Sequence, residues 1–239
     1  MVLRVPVHHL GMTTLLHRGT ERSRPVRSWV RSTPGTHIWL LAIAITSLVI
    51  QLSTQALERF LLHRNSSNIH ELTRHPVQSL FTSAFWIENP SSLLLYLVMF
   101  EVIHGTVERW LGTLRWLCTV VVGHVVATLI SQEYVLWSIQ NQHLPKRLAH
   151  AMSHVVDIGV SYGLAAAAGI LVYRLPRPWR WLYLVGVLAF FGIPLATGGT
   201  YTDLGHVTAL LIGFACWPLT RGVPDRNSLA PNGRAGHSG

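Results

Sequence analysis

Six apolar segments, each long enough to cross a lipid bilayer, are the feature that most constrains the fold of this chain. They cover about residues 38–57, 86–105, 113–132, 156–173, 180–197 and 203–219. A hydrocarbon core of about 30 Å needs roughly 17 to 25 apolar residues in each helix. Hydrophobic residues make up 49% and charged residues only 12% of the 239 residues, which agrees with this interpretation. The sequence therefore predicts an all-α integral membrane protein with six transmembrane helices.

Basic residues fall between these segments in a pattern that predicts the topology. Fourteen of the 19 Lys and Arg residues lie in the two terminal segments and in the loops after the second and fourth spans, and five lie in the remaining loops. Because positively charged loops face the cytoplasm, both termini are expected there. The basic residues of the predicted cytoplasmic segments thus account for the net charge of +9. The expected partner is the lipid bilayer and not nucleic acid.

The chain is predicted to have three parts. Residues 1–36 are basic and lack apolar periodicity, which indicates a cytoplasmic tail, with an Arg-rich organelle transit peptide as the alternative. Residues 37–219 form the six-helix membrane domain. Residues 220–239 are rich in Gly, Pro, Asn and Arg and are expected to be a disordered cytoplasmic tail.

The fourth and sixth segments place a serine and a histidine at the same depth. If both segments run from the outside inwards, Ser161 lies about five residues and His206 about three residues below the start of its helix. At 1.5 Å rise per residue, both lie roughly 5 to 8 Å beneath the outer boundary. A neutral imidazole within hydrogen-bonding reach is the usual base for a nucleophilic serine. The pair is therefore a candidate Ser/His dyad, with a packing serine and a structural histidine as the alternative.

Small residues surround both positions and predict close packing of the two helices. Small side chains that recur every four residues let membrane helices approach until their backbones nearly touch. Two such faces would hold Ser161 opposite His206. The predicted packing residues are Gly159, Gly163, Ala165 and Gly169 in the fourth segment and Gly205, Ala209 and Gly213 in the sixth.

Four motifs in order resemble those of the rhomboid intramembrane serine proteases. G-V-S-Y-G-L-A-A-A-A-G (159–169) resembles their serine motif, and G-H-V-T-A-L-L-I-G-F (205–214) resembles their histidine helix. S-L-F-T-S-A-F-W (79–86) resembles the stretch before their second helix, and T-V-E-R-W-L-G-T-L-R (106–115) resembles the passage that closes it.

The resemblance implies a six-transmembrane-helix rhomboid-like bundle with both termini in the cytoplasm. It implies Ser161 as the nucleophile and His206 as the general base, cleaving transmembrane protein substrates near the outer membrane face. It implies no metal and no cofactor, and it suggests a multi-pass protein of a bacterial plasma membrane. The oligomeric state is not indicated.

The chain departs from the family's pattern where the oxyanion would be stabilised. Counting back from Glu108, the second-helix positions at which active rhomboids carry His and Asn are Ser92 and Tyr96, and residue 162, often Gly, is Tyr162. Loss of one oxyanion donor typically costs about 10²- to 10³-fold in rate. Two functions therefore stay open: a protease in which Ser92 and Tyr96 donate, and an inactive rhomboid-like protein that binds transmembrane segments of its clients.

Polar residues near the predicted outer face have two further interpretations. His150, His154 and Asp157 have the i, i+4, i+7 spacing of metal ligands on one helix, but a solvated loop-to-helix entry with Asp157 capping or favouring the helix N-terminus is preferred. Asp203 either orients His206 or caps the sixth helix.

Ionisable residues inside the spans raise a third class of function. Glu101, His104 and His124 are candidates for an ion or proton pathway, since intramembrane ionisable groups are often functional. Their depths differ, so bonding of Glu101 and His104 to backbone or to the Arg109 region is preferred. The depths of His124 and His206 also disfavour a haem site.

Overall fold

The structure is a computed structural model that describes residues 27–141 and 145–223, and these ranges contain helices but no strand. A short helical turn over 27–32 precedes ten helices, which are α1 Pro34–Leu52, α2 Gln55–Arg64, α3 Ile69–Arg74, α4 Pro76–Ser83, α5 Pro90–Leu111, α6 Thr113–Asn141, α7 Lys146–Ser153, α8 Val160–Leu171, α9 Trp179–Ala196 and α10 Tyr201–Ala215. Helix α5 is irregular: it begins as a 3₁₀ turn, Pro90–Ser92, and contains a π segment, Phe100–Gly105.

Four of these helices, α1, α5, α6 and α9, are long and apolar enough to cross a membrane. Helices α8 and α10 have 12 and 15 residues. At 1.5 Å per residue they extend about 18 and 22 Å, less than the roughly 30 Å of a hydrocarbon core. The described chain is thus all-helical with four candidate membrane spans, while α8 lies within the fourth predicted segment and α10 overlaps the sixth. The count of six spans stays a prediction.

Helix α8 lies at the centre of the fold, and α9 lies at its edge. Ten of the 12 residues of α8 are buried, whereas no residue of α9 is buried. The main neighbours of α8 are α6 and α10, which also pack on each other. An apolar helix with small side chains on all sides suits such a central position.

Glu108, near the end of α5, hydrogen-bonds to the first residues of α1. This fully buried carboxylate accepts hydrogen bonds from the backbone N–H groups of Gly35 and Thr36 at 2.8 and 2.7 Å. It also accepts from the hydroxyls of Thr36 and Thr113 at 2.7 and 2.8 Å. The first N–H groups of a helix lack partners within it, so a carboxylate there is stabilising.

The long connection after α1 folds into three short helices. Asn68 caps α3 by accepting from the backbone N–H of Glu71 at 2.9 Å, and the Ser79 hydroxyl of α4 donates to the Ser66 carbonyl at 2.8 Å. The backbone N–H of Ser67 donates to the carbonyl of Asp157 at 2.9 Å. The connection is therefore a folded unit that packs against the segment preceding α8.

The two predicted tails fall largely outside the described residues, since 1–26 and 224–239 are not among them. Within the first tail, Trp29 lies against α5 and donates from its indole N–H to Glu101 at 2.8 Å. Helix α1 begins at Pro34, inside the part assigned to the tail. Helix α6 continues to Asn141, well past the predicted end of its span, and α7 occupies part of the predicted polar loop.

Candidate active site

Ser161 and His206 meet where α8 and α10 cross. The Ser161 Oγ and the His206 Nε2 are 2.8 Å apart, and both residues are partly buried. Ser161 is the second residue of α8, so its backbone N–H belongs to the first turn, where N–H groups have no partner within the helix. With the ring proton on Nδ1, Nε2 accepts from the hydroxyl, which is the arrangement that a general base requires.

Contact between the backbones of α8 and α10 brings the two residues together. A Cβ atom on Gly213 would collide with the carbonyl oxygen of Ala166, and one on Gly169 would collide with the carbonyl oxygen of Leu210. Ala165 and Ala209 are fully buried in the same cluster. The separation of the helices is thus set by glycines, and a larger residue at either position would push Ser161 away from His206.

The remaining predicted packing glycines lie against aromatic and imidazole rings. A Cβ on Gly159 would collide with the imidazole of His124 in α6, and one on Gly163 would lie 2.7 Å from the Trp39 ring of α1. A Cβ on Gly205 would lie 2.6 Å from the Tyr162 ring. Gly159 and Gly163 thus pack against α6 and α1, and Gly205 of α10 packs against the Tyr162 ring of α8.

Tyr162 supports His206 and is itself held by Asp157. The Tyr162 ring is fully buried and lies edge-on to the imidazole, with ring centroids 5.2 Å apart. Its hydroxyl donates to Asp157 Oδ1 at 3.0 Å. Asp157 Oδ2 accepts from the Gln132 amide at 2.8 Å and from the Ser67 hydroxyl at 3.3 Å. Sequence reasoning treated Tyr162 only as a departure from the family's pattern and missed this contact.

The interpretation of Asp157 as a cap of the fourth helix is wrong. Gly159 occupies the N-cap position of α8, and no side chain caps it. Asp157 is instead nearly fully buried and accepts from three side chains, because a buried carboxylate needs several donors. Its partners come from distant parts of the sequence, so local spacing gave no signal for them.

Asp203 belongs to a capping box and does not orient His206 through a hydrogen bond. Thr200 is the N-cap of α10, and the Asp203 carboxylate accepts from its backbone N–H and hydroxyl at 2.8 and 2.9 Å. The prediction that Asp203 is the N-cap is therefore wrong: the N-cap lies three residues earlier, at Thr200. A Thr with an acidic residue three positions on is a readable signal for this motif.

The two candidate oxyanion donors have different positions. The phenol of Tyr96 lies near the side chain of Ser161. The hydroxyl of Ser92 instead donates to the carbonyl of Asn89 at 2.6 Å, within the 3₁₀ turn that begins α5. Counting along a regular helix does not capture this difference, because Ser92 belongs to the 3₁₀ turn and a π segment lies between both positions and Glu108.

The predicted metal ligands do not converge. His150 lies edge-on to His154 with ring centroids 4.2 Å apart, and the tilted ring of His70 contacts His154 at 4.3 Å, whereas Asp157 belongs to the buried network described above. Across residues 27–141 and 145–223, no group of three His, Cys, Asp or Glu side chains has the geometry to hold a metal ion.

The ionisable residues of the predicted ion pathway have separate partners. Glu101 accepts from the indole of Trp29 at 2.8 Å and pairs with His37 at 3.1 Å, rather than with backbone or the Arg109 region. His104 accepts from the Trp116 indole at 3.0 Å, and His124 donates to the Leu80 carbonyl at 2.8 Å. These bonds join four different pairs of elements, and each matches a structural role.

Comparison with known proteins gives the family. A family model described as rhomboid-like protein matches residues 28–226. The match spans most of the chain, and this protein belongs to the rhomboid-like family of membrane proteins. No curated protein and no solved structure gives a significant match.

Proposed function

We propose that this rhomboid-like protein is an intramembrane serine endopeptidase with Ser161 as nucleophile and His206 as general base. The proposal includes six membrane-crossing helices, cytoplasmic termini and residence in a bacterial plasma membrane. The observation that carries it is the 2.8 Å separation of Ser161 Oγ and His206 Nε2 at the partly buried crossing of α8 and α10.

The reaction follows from this geometry. As Ser161 Oγ bonds to the carbonyl carbon of the scissile peptide, its proton moves to His206 Nε2. When the tetrahedral intermediate collapses, the C–N bond breaks and the imidazolium returns that proton to the leaving amine. A water molecule, deprotonated by the same nitrogen, then attacks the acyl ester and releases the second fragment with Ser161 restored.

Two donors support the negative charge that develops on the carbonyl oxygen. The Ser161 backbone N–H lies in the first turn of α8, where the helix dipole also favours an anion. The Tyr96 phenol, which lies beside Ser161, provides the second donor. We assign no such role to Ser92, because its hydroxyl is engaged by the Asn89 carbonyl.

The substrates on this proposal are transmembrane segments of other proteins. Ser161 lies in the first turn of α8, near one end of the fourth predicted span, which favours cleavage near one membrane face and access of water from that side. A helix must unwind locally before one of its peptide bonds can be attacked. The preferred substrates are therefore segments with weak helix propensity near that membrane face.

An inactive rhomboid-like protein is the second candidate. The observation that favours it is the pair Ser92 and Tyr96 where active members carry His and Asn, with only one of the two beside Ser161. Such a protein would bind transmembrane segments of client proteins without cleaving them.

Cleavage in reconstituted vesicles tests the proposal. The protein is incorporated with a single-span substrate whose helix carries Gly and Pro near one membrane face, and products are followed by mass spectrometry. We expect cleavage by the wild type and by Thr208→Val, a control two residues from His206 whose hydroxyl bonds only the Leu204 carbonyl. We expect none with Ser161→Ala or His206→Ala. Tight substrate binding without product in the wild type would instead establish the second candidate.

A further inference from the structure

An apolar groove opens on the surface of the helix bundle between α1, α4 and α6. It encloses about 470 Å³, and its walls are almost wholly carbon. The residues that shape it include Ile38, Leu80, Phe81, Trp116, Val120 and Val121. Because α1 and α6 are candidate membrane spans, this groove faces the hydrocarbon region.

The length of the groove suits one acyl chain. Along α6 it extends from Thr113 to Val125, which is about 18 Å at 1.5 Å per residue. One leaflet is half of a hydrocarbon core of about 30 Å, so its acyl chains extend about 15 Å. An acyl chain of one leaflet can therefore lie along the whole groove.

The chemistry of the walls agrees with a hydrocarbon chain. His124 lines the groove, but its Nε2 is engaged by the carbonyl of Leu80. The Trp39 indole N–H, on the adjacent wall, donates to the carbonyl of Ala84 at 2.8 Å. The polar groups of these two aromatic side chains thus point into the protein, and their carbon surfaces are available to an apolar ligand.

Basic residues lie close in sequence to one end of the groove. That end is formed by Gly35 and Thr113, and the helical turn before Gly35 exposes Arg27 and Arg31. With Ser28 and Ser32, these two arginines line a polar surface pocket. Guanidinium and hydroxyl groups suit a phosphate, so the headgroup of a phospholipid would find partners near this end.

We propose that this groove holds one acyl chain of a bilayer phospholipid. The chain lies against Trp39 and Trp116 along the first half of α6, and the phosphate lies towards Arg27 and Arg31.

The bound chain would also support the position of Ser161, a consequence that rests on the proposed function. Trp39 and His124 form part of the groove wall, and their other surfaces contact Gly163 and Gly159, which lie two residues on either side of Ser161. An acyl chain that fills the groove holds the rings of Trp39 and His124 in contact with α8. Delipidated protein should therefore lose reactivity at Ser161 before it unfolds.

Photo-crosslinking tests the site without relying on proteolysis. Protein is reconstituted with a phosphatidylglycerol that carries a diazirine in one acyl chain, irradiated, and mapped by mass spectrometry. Val121→Trp fills the groove, and Val122→Trp is the matched control, since both valines are about equally exposed at 48% and 45% but only Val121 lines it. Val77→Trp on α4 is a second filling variant. Thermal unfolding establishes that each variant is folded.

We expect the crosslinks to concentrate on residues 77–85 and 113–125. We expect Val121→Trp and Val77→Trp to lower them at least about fivefold, with Val122→Trp unchanged. Equal labelling of all lipid-facing helices, or crosslinks insensitive to both filling variants, would overturn the proposal. So would a disulfide-linked or crosslinked dimer joined through this face. An absence of proteolysis with the expected crosslinks would overturn only the proposed function.

Discussion

The ring of Tyr162 lies edge-on to the imidazole of His206, with 5.2 Å between the ring centroids, and its hydroxyl donates to the buried carboxylate of Asp157. The imidazole is thus packed against a side chain that is itself fixed at its far end. Phe191 of α9 lies on another side of the imidazole, with centroids 5.7 Å apart. The orientation of His206 therefore depends on aromatic packing, since Asp203 is engaged in the capping box.

Replacing Tyr162 separates the role of its ring from that of its hydroxyl. Tyr162→Phe keeps the ring on His206 and removes one donor to Asp157, so we expect nearly unchanged kcat and a loss of about 1 kcal/mol in unfolding free energy. Tyr162→Leu removes the ring, and we expect kcat to fall about tenfold with KM little changed. Steady-state cleavage of a reconstituted substrate measures both. Equal losses of kcat in the two variants would assign the effect to the hydroxyl.

Tyr96 and Ser92 should differ sharply in their effect on cleavage. Tyr96→Phe removes the phenol beside Ser161, and we expect kcat to fall about 100-fold, as for the loss of one oxyanion donor. Ser92→Ala should change kcat less than about twofold, because that hydroxyl is engaged by the Asn89 carbonyl. A larger loss in Ser92→Ala than in Tyr96→Phe would reverse the assignment.

The crossing of α8 and α10 should be intolerant of larger side chains. Gly213→Val places carbon atoms against the backbone of Ala166, so we expect a loss of at least about 1 to 3 kcal/mol in stability. Gly186→Val in α9 is the control, because nothing lies within 4 Å of the position of its Cβ. Thermal unfolding in detergent compares the two variants. Similar melting temperatures would show that the helix separation is not set by Gly213.

Glu108 should contribute to stability through its four hydrogen bonds. Glu108→Gln replaces one acceptor oxygen by an amide NH₂ that faces donors, and we expect a loss of about 2 to 4 kcal/mol in unfolding free energy. Glu133→Gln, at an exposed position of α6, should lose less than about 0.5 kcal/mol. Chemical or thermal unfolding in the same detergent provides the comparison. Equal losses would contradict the anchoring role of Glu108.

Features that depend on composition and periodicity could be predicted from the sequence. Apolar segments long enough to span a bilayer identified helices at the right places, and the Gly-x-Ser and Gly-His motifs identified the residues that the structure brings within 2.8 Å. Small residues in α8 and α10 predicted a close approach because only glycine leaves room for a neighbouring backbone.

Features that depend on long-range contacts could not be predicted. The Asp157 network joins α6, α8 and the connection after α1, and no local pattern relates these partners. The position of Ser92 depends on the irregular turns of α5, which change the register along the helix. Glu101 pairs with Trp29 and His37, although Arg109 is nearer in sequence, because α1 and the preceding turn pack on α5.

The most direct test of the central claim is labelling of the purified protein by a fluorophosphonate probe, with the modified residue identified by mass spectrometry. The probe reports nucleophilicity of the serine and needs no knowledge of the natural substrate. We predict a single adduct on Ser161 that disappears in Ser161→Ala and falls at least about 100-fold in His206→Ala. Absence of an adduct on Ser161 in folded, lipid-reconstituted wild-type protein, or labelling that is unchanged in His206→Ala, would contradict the Ser/His dyad.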